Sequence, residues 1–309
     1  MAFSYEISYG KQAVPIYRVY AKPLTGISPI PESRFTGRDN VLMAAEVDIT
    51  VHGDDFLPAY LEGDNSAVVA TDSMKNIIIQ QALSFEGATL EHYLRTVGTM
   101  FIERYDQIRD VSLEARELAF PAVQVPDESG AFDDSDRLFF RSGADYGVAR
   151  LHLRQNGDQI DMVGHECGRA GFRLMKVTGS AFTRFVHDEH TTLPDRQDRP
   201  LFIYLDVFWQ YADAEQGFSP ETRQFVPSEQ VADLVSVVFH EFVSESIQHL
   251  VHEMGLRVLE RFPQLASVRF VAQNRTRDPF GTSDTHPQVK VYSDPFPAFG
   301  EITLSMQRD

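Results

Sequence analysis

Helix starts are places where a chain can do chemistry, and two stretches of this sequence put polar side chains at one. In Glu62–Ile79 the apolar run Ala67–Ala70 gives way to Thr71-Asp72-Ser73, after which Met74, Ile77 and Ile78 fall at i, i+3 and i+4. A helix that opens at Thr71-Asp72 leaves its first backbone N–H groups without partners inside the helix, so the corner can receive an electron-rich ligand. The side-chain oxygens can also cap, and on spacing alone the plain reading is an ordinary N-cap. Ser246-Ile247-Gln248 repeats this logic. A serine cap is followed by free N–H groups and by an amide that offers one donor and one acceptor to the edge of a planar heterocycle; a plain helix start is again the simpler reading.

Three further residues have the right chemistry at element ends. Arg199 follows Asp198 just ahead of a strand-like run. It is either a solvated charge or a planar fork that grips a carbonyl or carboxylate-like edge in two places. Phe182, in GSAFTRF, fits a core position or a stacking platform. Asn274 ends the strand-like Val268–Ala272, as a turn residue or as an amide pointing into a cleft.

Other chemistries lack their residues. His240-Glu241 is followed by Ser244 where a zincin needs histidine, and His249 and His252 lie beside an apolar stripe, so no metal site is expected. Gly-rich phosphate loops and a G-x-S-x-G elbow are absent. Cys167 is the only cysteine, which excludes an intrachain disulfide and reads as a buried thiol in a strand. The net charge of −17 over 309 residues argues against nucleic acid or an anionic membrane as partner, and any anion site must carry its own local cations. No apolar run approaches a spanning helix, the N-terminal residues lack a secretory pattern, and the terminal SMQRD is not a peroxisomal tripeptide, so a cytoplasmic protein is expected.

The elements that must hold these residues follow one another in a repeated order. Ile7–Tyr20 and Val41–Val51 read as strands around a Pro/Gly/Ser-rich connection, Lys22–Asn40. Helices are expected from Thr71 to about Ser84 and over about Thr89–Tyr105, the second with a single apolar stripe from Leu90 to Ile102. Two strand-like stretches come next, one around Val111–Ala115 and one bracketed by Leu138–Arg141 and Val148–Leu153, with Asp127–Asp136 an acidic turn or exposed loop. Ile160–Val177, Leu201–Tyr211, a helix opened by Pro227-Ser228, a helix from Ser246, and strands at Val268–Ala272, Val289–Tyr292 and Glu301–Met306 repeat the order. This predicts an α+β protein of two units, residues 1–156 and 157–309, each an antiparallel sheet with helices on one face.

Taken together, the segments resemble urate oxidase (uricase) across nearly the whole chain. They are Tyr9–Lys11, Gly63–Asn76, Ser180–Arg199, Phe208–Tyr211, Ser246–Gln248, Gln273-Asn274 and Ser293–Pro295, in that family's order. The resemblance implies two tandem β2α2β2 units of the tunnelling fold in a homotetramer whose active sites lie between subunits, and a reaction of urate, O2 and water that uses no cofactor. It implies that Phe182 stacks on the purine, that Arg199 and Gln248 clamp its pyrimidine edge, and that the Ile247 N–H and the Thr71-Asp72 corner hold other ring heteroatoms. Lys11 and Thr71 would form the proton relay, which requires burial to disfavour the lysine ammonium, and Asn274 with Thr71 would hold O2 and then water. Many family members carry histidine two residues after the asparagine, where this chain has Thr276. Either the Lys11–Thr71 pair suffices or another group, such as His286, takes that part. The alternatives are a urate-binding homologue that does not turn over, or another tunnelling-fold enzyme acting on purines or pterins.

Overall fold

The computed structural model describes residues 3–143, 145–275, 277, 279–293 and 297–308. They form two compact units.

The first unit takes in Met1–Ser28, Thr36–Gly168 and Asp213–Val226. Strands β1 (Ser8–Val19) and β2 (Leu42–His52) precede the short helix α1 (Leu57–Leu61), then α2 (Thr71–Ser84) and α3 (Leu90–Arg104). Next come β3 (Asp110–Glu117), a hairpin of β4 (Ala122–Pro126) and β5 (Phe132–Phe139), β6 (Tyr146–Asn156) and the part of β7 (Gln159–Lys176) up to Gly168. The sheet order is β1-β2-β3-β6-β7, antiparallel from β1 through β6, while β4 and β5 pair only with each other. Alternation with a period of two fixes which side chains meet the helices. Val47, Ile49 and Val51 of β2, Val111, Leu113 and Ala115 of β3, and Leu151 and Leu153 of β6 are buried, as are Tyr93, Leu94, Val97 and Phe101 of α3. Each large apolar side chain so buried contributes roughly 1.5–3 kcal/mol. The opposite sheet face carries charge: Arg116 bonds Asp48 and Glu114, both at 2.8 Å, and Arg150 bonds Glu114 at 2.7 Å and Glu166 at 2.6 Å. The segment Asp213–Val226 holds the short helix α4 (Glu215–Phe218), whose Phe218 is fully buried with its ring edge-on to His165.

The second unit takes in Pro29–Phe35, Arg169–Ala212 and Pro227–Asp309. It repeats the order with the rest of β7, β8 (Leu201–Tyr211), α5 (Ser228–Glu241), α6 (Ile247–Arg261), β9 (Leu265–Asn274), a hairpin of β10 (Pro279–Thr282) and β11 (Lys290–Tyr292), and β12 (Gly300–Gln307). The sheet order is β7-β8-β9-β12, and β8 and β12 both run antiparallel to β9. The segment Pro29–Phe35 is fastened by Ser33 Oγ to Asp233 (2.5 Å), by Gln230 Nε2 to the Phe35 carbonyl (2.9 Å) and by Arg261 to Glu32 (2.5 Å).

Three sequence expectations are corrected. Asp127–Asp136 is only partly a turn, because Phe132–Asp136 lies in β5. The two strands expected between α3 and the repeat boundary are four. Lys290–Tyr292 does not finish the main sheet but pairs with β10. These hairpin strands are mostly exposed, and the one buried residue among them is the polar Ser135, so they lack the apolar alternation that marks a strand. Asn156-Gly157 falls at the turn between β6 and β7, with Gly157 at φ 62°. Among the described residues no helix is long and apolar enough to cross a membrane.

The repeat extends to the helix–sheet contact. α2 and α5 both have 14 residues, α3 and α6 both have 15, and the ninth residue of each longer helix is a buried glycine, Gly98 or Gly255. A Cβ on Gly98 would lie 2.7 Å from Leu153 Cδ1 and 2.8 Å from Leu113 Cδ1, both in the core. A Cβ on Gly255 would overlap Met306 Sδ, a flexible side chain on the half-buried face of the terminal strand. Gly98→Ala is therefore expected to lower stability by about 1–3 kcal/mol of overpacking, more than the ~1 kcal/mol gained in helix propensity. Gly255→Ala is expected to lose less. Chemical denaturation of the two variants checks this order, and an unchanged or raised midpoint for Gly98→Ala refutes it.

Candidate active site

In the first unit the candidates gather at the start of α2. The N-cap is Ala70, at φ −57° and ψ 135°, and no side chain caps the helix. Thr71 is already the first helical residue, which corrects the expectation that the Thr71-Asp72 oxygens cap. The first-turn N–H groups of Thr71, Asp72 and Ser73 thus have no helix carbonyl to bind, because the first helical bond runs from Met74 N–H to the Ala70 carbonyl (3.2 Å). The Asp72 carboxylate instead accepts from Lys75 Nζ at 2.5 Å and Asn76 Nδ2 at 3.1 Å. The Lys75 hydrogen bond, then its charge, hold that carboxyl below the usual range, and the Lys11 ammonium adds to the effect. Lys11 is half-buried on β1 opposite Ile49, at the edge of a bulge where Ala13 adopts φ 54° and donates its N–H to Asp48 at 2.6 Å.

In the second unit a folded-back loop, 177–200, brings four candidates together. Phe182 and Arg196 exchange backbone hydrogen bonds of 2.7 and 2.9 Å, and Arg199 N–H donates to the Ser180 carbonyl at 2.9 Å. Ala181 N–H donates to the Ser244 carbonyl at 2.8 Å, which ties the loop to the residues that lead into α6. Asp198 accepts from Gly179 N–H (2.7 Å) and Thr178 Oγ1 (2.8 Å), and these bonds hold its carboxyl below the usual range. Ser246 caps α6 as expected, its Oγ accepting from His249 N–H at 3.1 Å. Ile247 is buried and Gln248 exposed at the first turn. The buried Arg199 guanidinium carbon lies 5.3 Å from the Phe182 ring centroid. Asn274 ends β9 opposite Ile203, two residues beyond the start of β8, and the next residue, Arg275, donates its N–H to the Phe202 carbonyl at 3.0 Å.

Sequence reasoning missed the stack behind Phe182. Phe185 lies parallel to it, with centroids 4.8 Å apart and planes 12° apart, and His187 stacks on Phe185 at 4.4 Å. One face of the Phe182 ring is thereby taken. The three aromatics sit in an irregular loop where no periodicity announces a shared direction; only their clustering within six residues was visible. Thr276 lies outside the described residues. His286 bonds Thr285 Oγ1 through Nδ1 at 2.9 Å within its own exposed loop. His249 packs edge-on against Phe242, and among the described residues no group of three His, Cys, Asp or Glu side chains could hold a metal ion. Cys167 is buried, and burial pushes its thiol pKa up, as for an inert core cysteine.

Two ββααββ repeats with antiparallel sheets, each carrying a pair of helices, define a tandem tunnelling-fold protein. The candidate residues include an aromatic ring, a guanidinium and two helix starts. The sequence matches the uricase family over residues 32–149 and 165–303. It is 45% identical to a uricase of Halalkalicoccus jeotgali over 306 residues, 98% of each chain, and 48% identical to a uricase of Haloferax volcanii over 271 residues, 87% of this chain and 88% of the other. The crystal structure of Bacillus sp. TB-90 urate oxidase superposes with a TM-score of 0.95 at 40% identity, covering 98% of this chain and all of that one. The chain belongs to the uricase family.

The capping geometry can be tested apart from activity. Ser246→Ala is expected to destabilise the protein by about 0.5–2 kcal/mol through loss of the cap, whereas Thr71→Ala, which removes no cap, is expected to stay within about 0.5 kcal/mol of wild type. Equal losses in thermal unfolding would contradict the assignment of Ala70 as the cap of α2.

Proposed function

We propose that this chain oxidises urate with O2 and water to 5-hydroxyisourate and hydrogen peroxide. The observation that carries the reading is the grouping in the second unit of the Phe182 ring, the Arg199 fork and the start of α6, in a chain of the uricase family. Urate is planar and anionic. One aromatic face fixes its plane, and a guanidinium with a helix N-terminus offsets its charge. Arg199 and Gln248 clamp the pyrimidine edge, and the Ile247 N–H takes another heteroatom.

The substrate is its own reductant, so the reading calls on no metal or flavin. Removal of a second proton makes an electron-rich dianion. Two electrons pass from the ring to O2, which leaves as peroxide, and the oxygen of water becomes the new hydroxyl. The protein's part is to take the proton and to hold O2 and then water over the stacked ring. Thr71, activated by Lys11, takes the proton; Asn274 and Thr71 hold the small reactants. General-base help of this kind is worth about 10²–10⁴ in rate.

Neither half-site is complete. The first unit supplies Lys11, Thr71 and Asp72 but no platform; the second supplies platform and clamp but no relay. As the resemblance to the family implies, the reading joins the corner of one copy to the platform of its neighbour in a homotetramer, with repeats 1–156 and 157–309, working in the cytoplasm.

Loss of urate absorbance in the presence of oxygen, with one peroxide formed per urate, is the expected result in chelator-treated protein. Thr71→Ala is expected to cut turnover by about 10²–10⁴ while anaerobic urate binding survives. Arg199→Leu is expected to weaken binding instead. Tight urate binding by wild type with no peroxide would overturn the oxidase assignment.

A further inference from the structure

The residues that lead into α2 are held from outside the helix. Val69 N–H donates to Tyr9 Oη at 2.9 Å, across a sequence separation of 60 residues. The Ala67 carbonyl accepts from Gln107 Nε2 at 3.0 Å. Val69 is the last residue before the Ala70 cap, so its amide sets where Thr71 begins. Tyr9 sits on β1 opposite Val51, two residues ahead of Lys11 opposite Ile49. Residues i and i+2 of a strand share a face, so the phenol that grips the α2 approach stands beside the lysine on one side of β1.

The phenol is itself fixed. Its ring meets Phe56 edge-on at 5.0 Å. Burial raises its pKa, while the Val69 bond and the nearby Tyr60 act more weakly, in opposite senses, so the hydroxyl stays protonated across the neutral range. The preceding residue, Ser8, is held as well, its carbonyl accepting from Tyr60 Oη at 2.9 Å.

We propose that Tyr9 is a positioning residue for the proton relay: through Val69 it fixes the distance between Thr71 and Lys11 without touching the substrate. This rests on the urate-oxidation reading. A relay is sensitive to small displacements, since a 1 Å error in placing a reacting group costs on the order of 10²-fold in rate. The platform and clamp, which make most of the proposed substrate contacts, lie in the other repeat, so the effect falls mainly on turnover.

Tyr9→Phe keeps the ring and its contact with Phe56 and removes only the oxygen. The expected result is a kcat reduced about 10- to 100-fold, a displaced pH profile of kcat, and a urate KM and anaerobic binding within about twofold of wild type. Tyr60→Phe removes a hydroxyl bond of the same length from the neighbouring residue and is expected to leave kcat and its pH profile unchanged. Wild-type kcat and pH profile in Tyr9→Phe would overturn the proposal, and so would equal losses in both variants that track the thermal midpoint. Wild-type protein that consumes no urate would instead sink the underlying reading, a result distinct from an active wild type beside an unaffected Tyr9→Phe.

Discussion

An α-helix cannot satisfy the donors of its own first turn, and this chain answers that constraint in two ways. The second helix of each repeat is capped by a hydroxyl: Thr89 for α3 and Ser246 for α6, each accepting from the N–H three residues on. The first helix of each repeat has no such cap, with Ala70 and Pro227 in the capping position. The uncapped start of α2 is where the proposed relay sits. The capped start of α6 adjoins the aromatic platform. Open donors and a positive dipole end are thus available at two points that differ in how they are held.

The division of labour follows from loops rather than from the repeated elements. Helix lengths match between repeats, and so does the buried glycine at the helix–sheet contact. The connection between the first two strands differs. In the second repeat it folds back on itself and carries Phe182, Phe185, His187 and Arg199; in the first it carries no such cluster, and the proposed relay residue Thr71 lies instead at the start of α2. Loops carried on a rigid scaffold are where such differences are tolerated and where binding residues concentrate.

Periodicity made the scaffold legible. The stripe from Leu90 to Ile102 marks α3, and the bounds expected for Leu201–Tyr211 are those of β8. Ser246 reads as a cap because a polar residue precedes a regular apolar pattern. What stayed hidden lacks a buried face or depends on distant residues. The β4–β5 hairpin is mostly exposed, with Phe132 70% accessible. The cap of α2 falls on Ala70 although Thr71-Asp72-Ser73 offers better capping chemistry, and the residue before it bonds Tyr9, far away in sequence. The residues of the candidate site were legible by motif resemblance, whereas the Phe182–Phe185–His187 stack is a product of loop geometry.

The compact units do not follow the repeat boundary along the chain. Pro29–Phe35, from the first repeat, is built into the second unit, and Asp213–Val226, from the second repeat, is built into the first, where it buries Phe218. Each half of the polypeptide is thus missing a piece that the other half encodes. A chain severed between the repeats would take the buried Phe218 away from the first unit, and from the second the segment that Asp233, Gln230 and Arg261 hold. Each repeat thus depends for part of its fold on chain that lies in the other half of the sequence.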